Sequence, residues 1–308
     1  MDSMDKKFLI CIVGPTAIGK TSLSISLGKA FSTNIVSADS RQFYKEMSIG
    51  TAVPSIEELT SVPHHFIQHL SVTEPYSVGD YEKDSLNKLR ELFQGHNSVI
   101  LVGGSGLYVE AVTRGLDRFP KVDPTIREQL VTQLEEDSLE PLQNKLKELD
   151  PLYYEQVDLQ NPHRVIRALE ICIGTGLPFS SFRNQEVAPR NFETVYIGLN
   201  AERKLLYDRI NLRVDNMMTQ GLLEEVEALY PLKHLNALNT VGYKELFKYI
   251  DREYSLEEAV GEIKKNTRRY AKRQLTWYRK RSDIHWFDYL TPHDSIIEYV
   301  EKILEQKT

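Results

Sequence analysis

A chain of 308 residues with 41% hydrophobic and 27% charged residues has the make-up of a packed globule, which excludes a disordered polymer and a membrane-embedded protein alike. One hydrophobic core stops growing at roughly 250–300 residues, so the length predicts an α/β core carrying an inserted or appended module. The formal charge of −6 opposes a nucleic-acid partner only until its distribution is read: Lys264 to Arg281 (KKNTRRYAKRQLTWYRKR) holds nine Lys or Arg and no acid, leaving −15 on the rest.

The apolar run Phe8 to Val13 stops at Gly14-Pro15, short of membrane length and without a small-residue cleavage site after it, so a cytoplasmic protein with no membrane partner is expected. Lys7 to Val13 (KFLICIV) reads as a strand, and Lys20 to Phe31, with Leu23, Ile25, Leu27 and Ala30 apolar, as a buried helix. Between them Gly14-Pro15-Thr16-Ala17-Ile18-Gly19-Lys20-Thr21 fits the phosphate-loop pattern GxxxxGK[ST] in the strand–loop–helix setting that the mechanism needs. Glycines let main-chain N–H groups turn toward phosphate oxygens, the helix N-terminus adds partial positive charge, Lys20 neutralises, and the Thr21 hydroxyl is a candidate ligand for Mg²⁺.

Further strands are predicted at Asn34–Ser37, ending at Asp39, at Ser98–Val102 and at Thr194–Leu199. Strands alternating with helical stretches predict a P-loop NTPase-like α/β fold, a parallel sheet with helices on both faces, whose ligands bind beyond the carboxyl ends of the strands. From Gly115 to about Phe192 the character turns helical, with stretches at Pro124–Glu136 and Leu139–Leu149, and with Asn161-Pro162 opening a helix that Gly174 and Gly176 close. We read residues 117–192 as an all-helical insertion domain over the active edge of the sheet, with 1–116 and 193–308 as the core. Long helices then follow at Ala201–Gln220, at Leu222–Tyr230 and through the basic stretch. Cys11 and Cys172 lie among aliphatic neighbours and read as core packing, and the adjacent pair His64-His65 as loop packing or hydrogen bonding, so no transition-metal site is expected.

The loop does not name its phosphate compound. A nucleoside-triphosphate hydrolase needs a second strand ending in an Asp beside Mg²⁺, yet Val99–Val102 runs into Gly103-Gly104-Ser105-Gly106-Leu107-Tyr108. The strand-end acid near the loop is Asp39, which leaves it two roles: an indirect metal ligand, as in small kinases, or a base facing an acceptor.

The ordered segments GPTAIGKT, DSRQFY at Asp39–Tyr44, IGTAVP at Ile49–Pro54, PHHFI at Pro63–Ile67, YSVGDY at Tyr76–Tyr81, VGGSGLY at Val102–Tyr108, NPHRVIRALE at Asn161–Glu170, VGYKE at Val241–Glu245 and KRQLTWYR at Lys272–Arg279 run along nearly the whole chain. In them the chain resembles the tRNA dimethylallyltransferases, also called tRNA isopentenyltransferases. The resemblance implies that Gly14 through Thr21, with Arg213, hold the diphosphate of dimethylallyl diphosphate with Mg²⁺. It also implies that the acceptor is the tRNA adenosine just 3′ of the anticodon, flipped into a channel, and that Asp39 is the general base, with Thr21 and Arg213 sharing the catalytic site. The tRNA contacts that it implies are Asp39, Ser40, Arg41, Gln42, Ser105, Arg127, His163, Arg164, Val165, Ile166 and Arg167. Ser105 departs from the Thr of many relatives but keeps the hydroxyl, and no Cys/His zinc-finger extension follows the core, as in the bacterial form.

Helical spacing adds its own expectations. Arg209 and Arg213, four apart, share a face from which Arg213 closes over a diphosphate; the bland alternative is a solvated face paired with Asp208 or Asp215. Lys265, Arg269 and Arg273 share another face, without acidic partners within the stretch, and are expected to meet tRNA phosphates, while Tyr270, Trp277 and Tyr278 anchor the core or stack on bases. A monomer is expected. Three other readings stay open: prenylation of free adenine nucleotides, a small-molecule P-loop kinase, and an RNA-binding P-loop switch.

Overall fold

The structure, a computed structural model, describes residues 6–185 and 189–307. It divides into two compact units, one formed by the chain up to Arg114 and from Arg190 onward, the other by Gly115–Pro189.

The first unit begins with β1 (Phe8–Val13), α1 (Lys20–Ala30), β2 (Ile35–Ser37), α2 (Ile56–Ser61), β3 (His64–His65), α3 (Val78–Leu92), β4 (Ser98–Val102) and α4 (Gly106–Thr113). The second contains α5 (Pro124–Glu136), α6 (Glu140–Leu149), α7 (Pro151–Tyr154) and α8 (Pro162–Thr175). The chain then returns to the first through β5 (Glu193–Asn200), α9 (Arg203–Thr219), α10 (Leu222–Leu229), α11 (Tyr243–Ile250), α12 (Leu256–Tyr278), β6 (Ile284–Asp288) and α13 (His293–Lys307).

All strand pairs are parallel, in the order β3-β2-β4-β1-β5-β6. β1 lies between β4 and β5 and is buried against a core layer on each face of the sheet, which is why FLICIV is apolar throughout. Its side chains alternate: Leu9, Cys11 and Val13 join one core layer, Phe8, Ile10 and Ile12 the other. The sequence reading missed the two edge strands. β3 has only two residues, and β6, in which Ile284 alone is buried, is a run too short to stand apart from the basic helix before it. Gly198 of β5 carries no side chain because a Cβ there would sit 2.6 Å from the Trp286 ring of β6.

The second unit has its own apolar core, built around Leu130, Leu142, Leu146, Leu169 and Phe179. Asp123 caps α5 and Asn161 caps α8, each with Pro at the first helical position, and Gly176 (φ 71°) ends α8 in the left-handed conformation that glycine tolerates. Gly174 lies within α8, where a side chain would run into Val122.

Candidate active site

The phosphate loop follows β1 with a backbone that few residues accept. Ala17 (φ 64°) and Gly19 (φ 107°) are left-handed, and α1 starts at Lys20 with no side-chain cap. Its first N–H groups are thereby left for an anion, and the strained alanine marks a loop held by its surroundings. One support is Gln274, a buried side chain of α12: its Oε1 accepts from the Thr16 N–H at 2.8 Å and its Nε2 donates to the Gly104 carbonyl at 3.0 Å. Another is Arg209, whose Nε donates to the Ala17 carbonyl at 2.8 Å while its guanidinium lies over the Tyr289 ring. Lys20 Nζ donates to the Pro15 carbonyl at 2.8 Å. Burial pushes the Lys20 ammonium down to about 8; nearby Asp39 opposes the shift and Arg213 adds to it.

Asp39 emerges just beyond β2, where Ala38 N–H donates to the Val102 carbonyl at 2.7 Å. Its Oδ1 accepts from the Arg41 N–H at 3.1 Å, an Asx turn that fixes the carboxylate. The glycines after β4 turn out to be packing residues: a Cβ on Gly103 would lie 2.5 Å from the Ala38 oxygen, one on Gly106 2.5 Å from Trp277, and one on Gly104 against Gln274. Ser105 shares a 3.3 Å hydroxyl–hydroxyl hydrogen bond with Ser40.

Two cavities, of about 420 and 430 Å³, open on this ground. The first is lined by Thr16 through Ser22, Gln42, His64 and Arg209; the second by Ser40, Arg41, Gly50, the Asn239–Lys244 loop, Tyr270 and Arg273. Thr16, Asp39, Thr51 and Arg213 line both. Arg213 therefore stands where the helical spacing puts it, its guanidinium pushed down by burial and held up by the Asp39 charge. Tyr270 is pushed up to about 12, chiefly by burial and then by the same carboxylate.

Other expected residues fall elsewhere. Gly14 and Pro15 are buried and do not line the first cavity: Gly14 passes so close to β5 that a Cβ would meet the Leu199 oxygen at 2.5 Å, and Pro15 instead holds Lys20. Arg41 and Gln42 reach the cavities but spend hydrogen bonds on main-chain carbonyls, Arg41 on Asn236 and Ala237, Gln42 on Thr51 and Ala52. In the second unit Val165 and Ile166 are in the apolar core, so α8 presents no RNA-contacting side chain at those two positions; His163 and Arg164 are exposed there. Arg127 and Arg167 both reach Glu170, each at 3.0 Å, and Arg167 also covers the Phe119 ring.

The basic stretch is less free than its composition suggests, because acids from outside the run or from the previous turn reach it. Lys264 pairs with Asp215 at 2.6 Å, Lys265 with Glu262 at 2.7 Å, and Arg281 with Asp283 at 2.5 Å while stacking on Tyr196. What remains is a groove of about 480 Å³ lined by Arg269, Lys272, Arg273, Thr276, Trp277 and Lys280. The aromatic residues divide accordingly: Tyr278 is core, Trp277 lines the groove, and Tyr270 lines the second cavity. Gln274, Thr51 and the Asn239–Lys244 loop were not singled out from sequence. KRQLTWYR, IGTAVP and VGYKE contain Gln274, Thr51 and most of that loop, but only as segments that carry the resemblance.

A phosphate loop at the end of a central parallel strand, with an acid and an arginine where two cavities meet, defines a P-loop enzyme with room for a second ligand beside its phosphate compound. Residues 42–281 match the family model described as IPP transferase, and the chain belongs to that family of prenyltransferases. It is 60% identical to a tRNA dimethylallyltransferase of Christiangramia forsetii over 96% of this chain and 97% of the relative, and 55% identical to one of Flavobacterium johnsoniae over 97% and 99%. The tRNA isopentenylpyrophosphate transferase structure from Bacillus halodurans superposes with TM-score 0.74, 38% identity and 98% coverage of both chains. A eukaryotic dimethylallyltransferase solved acting on tRNA gives TM-score 0.76 at 27% identity, covering 92% of this chain and 74% of that one.

Proposed function

We propose that this enzyme transfers the dimethylallyl group of dimethylallyl diphosphate to N6 of the tRNA adenosine 3′ of the anticodon, releasing diphosphate. The observation that carries the reading is the pair of cavities sharing Thr16, Asp39, Thr51 and Arg213, one beginning at the phosphate loop and the other rimmed by main chain and cations. A donor in the first and an adenine in the second bring carbon and nitrogen together beside Asp39. The names of the relatives point the same way.

Displacement at an allylic carbon costs most in separating the leaving diphosphate, so donors aimed at its oxygens lower the barrier. The N–H groups of the loop, Lys20 and Arg213 supply them. The adenine amine is a weak nucleophile that becomes acidic only as its bond to carbon forms. The Asp39 carboxylate then takes the departing N6 proton, a contribution of roughly 10²–10⁴-fold.

The donor set suits Mg²⁺. Among the described residues no cluster of three or more His, Cys, Asp or Glu offers an all-protein metal cage, whereas Thr21 places one hydroxyl beside the phosphate position, the sparse protein ligation with which Mg²⁺ joins substrate phosphates. An ion held there by Thr21 would neutralise diphosphate charge. Arg269, Lys272, Arg273 and Lys280, with Arg127, His163, Arg164 and Arg167 of the insertion, are proposed tRNA contacts. The test is mass spectrometry of a tRNA pool incubated with enzyme and dimethylallyl diphosphate. The expected result is one added C5 unit on an adenosine beside the anticodon; labelled adenine nucleotide, or RNA-stimulated ATP turnover without that adduct, would overturn the assignment.

A further inference from the structure

Two of the segments that carry the resemblance, IGTAVP and VGYKE, enter the reading above only as cavity lining, yet the structure joins them through one carboxylate. Glu225 of α10 accepts three successive main-chain N–H groups: Ser48 at 2.9 Å and Ile49 at 2.8 Å on Oε2, and Gly50 at 2.9 Å on Oε1. The fully buried Tyr243 donates its hydroxyl to the same Oε1 at 2.6 Å. Its ring lies so close to Gly50 that a Cβ there would be 2.6 Å from it. Four donors saturate an ionised carboxylate, and charge-assisted bonds of this kind hold geometry more firmly than neutral ones.

The three pieces that this carboxylate ties together each line the second cavity: Gly50 and Thr51 from the turn, Leu222 from the start of α10, and Val241 and Gly242 from the loop before α11. The first cavity depends on different supports. Gln274 and Arg209 hold its phosphate loop, and Gln42 Nε2 donates to the carbonyls of Thr51 at 3.2 Å and Ala52 at 3.0 Å.

We infer that Glu225, with Tyr243, is a positioning residue that shapes the acceptor cavity and sets the adenine against Asp39, without touching either substrate. The inference rests on the prenyl transfer proposed above. A wall displaced by about 1 Å can cost about 10²-fold in rate, and of the residues on this node Gly50, Leu222, Val241 and Gly242 line the acceptor cavity and not the first, Thr51 being shared.

The test compares Glu225→Gln, Tyr243→Phe and the double variant with the wild-type enzyme. In Glu225→Gln one of the two oxygens becomes an amide nitrogen that cannot accept an N–H. The expected outcome is kcat/KM for tRNA lowered about 10–100-fold, with the Kd for dimethylallyl diphosphate within about twofold of wild type and rates corrected for folded fraction. Tyr243→Phe should lose less, and the double variant no more than Glu225→Gln alone, because both act through one node. Wild-type kcat/KM for tRNA in Glu225→Gln, or donor and tRNA parameters falling in the same proportion, would overturn the inference and leave a general brace of the fold. A wild-type enzyme that modifies no tRNA overturns the underlying reading and this inference with it; a competent wild type beside an unaffected variant overturns the inference alone.

Discussion

Replacing Gln274 by Met keeps the length and burial of the side chain but removes both of its hydrogen bonds, the one accepted from Thr16 and the one donated to Gly104. The two orphaned groups do not lose equally. The Thr16 N–H belongs to a residue lining an open cavity, where water replaces the lost acceptor, so its share is about 0.5–1 kcal/mol. Gly104 is buried, so its carbonyl carries more of the desolvation penalty, about 1–3 kcal/mol. The sum, about 1.5–4 kcal/mol, corresponds to a fall of about 3–16 °C in the unfolding midpoint of a unit this size, followed by circular dichroism. Donor affinity, measured by calorimetry, should weaken as well, because the freed loop no longer presents Thr16 and Ala17 in one conformation. An unchanged midpoint with unchanged donor affinity would show that the loop stands without α12.

Asp39→Asn retains the acceptor that fixes its turn with Arg41, so donor affinity should persist while single-turnover transfer slows about 10²–10⁴-fold; a rate within a few-fold of wild type would dismiss Asp39 as the base. On the proposed reading Lys20, pushed down to about 8 by burial, meets the diphosphate as the ammonium, so donor affinity should hold below that pH and fall by up to about tenfold per unit above it. In Lys20→Ala that slope should vanish, along with most transfer; a slope that survives belongs to another group. Lys272→Gln with Lys280→Gln, both in the basic groove, should weaken tRNA binding and flatten its salt dependence by a little under about two units at unchanged donor affinity. An unaltered salt slope would mark the groove as ordinary surface and shift the load to Arg127, Arg164 and Arg167.

The phosphate loop, the central strands and the helices with explicit caps were legible because each is a local event. A β-branched run, a glycine spacing or an Asn-Pro start depends on a few neighbouring residues. What sequence could not supply was partnership. Gly103 to Gly106 read as a strand end lacking an acid, whereas the glycines are there because Ala38, Gln274 and Trp277 leave no room for side chains. Lys264 and Lys265 looked unpaired because Asp215 and Glu262 lie outside the basic run, one of them on another helix. Val165 and Ile166 sit inside a motif whose polar members are exposed, and only the 3.6-residue turn of α8 separates the two groups. Arg213 was reachable from its spacing with Arg209; Thr51, which lines both cavities, sits in the IGTAVP segment, but nothing local marks its place until the turn that holds it is folded.

The bond between Thr16 and Gln274 spans 258 residues, and β1 pairs with β5, whose first residue is Glu193. The phosphate loop is therefore among the first functional pieces synthesised and among the last completed. At a synthesis rate of about 5–20 residues per second, some tens of seconds separate the emergence of the loop from that of the helix that buttresses it. For the first part of that interval, until β5 follows, β1 is an apolar strand lacking at least one of its neighbours, and throughout it the nascent chain holds a phosphate motif without its α12 support. A ribosome-bound fragment ending before α12 should accordingly leave the donor free in solution, so that prenyl diphosphate is captured only by finished enzyme.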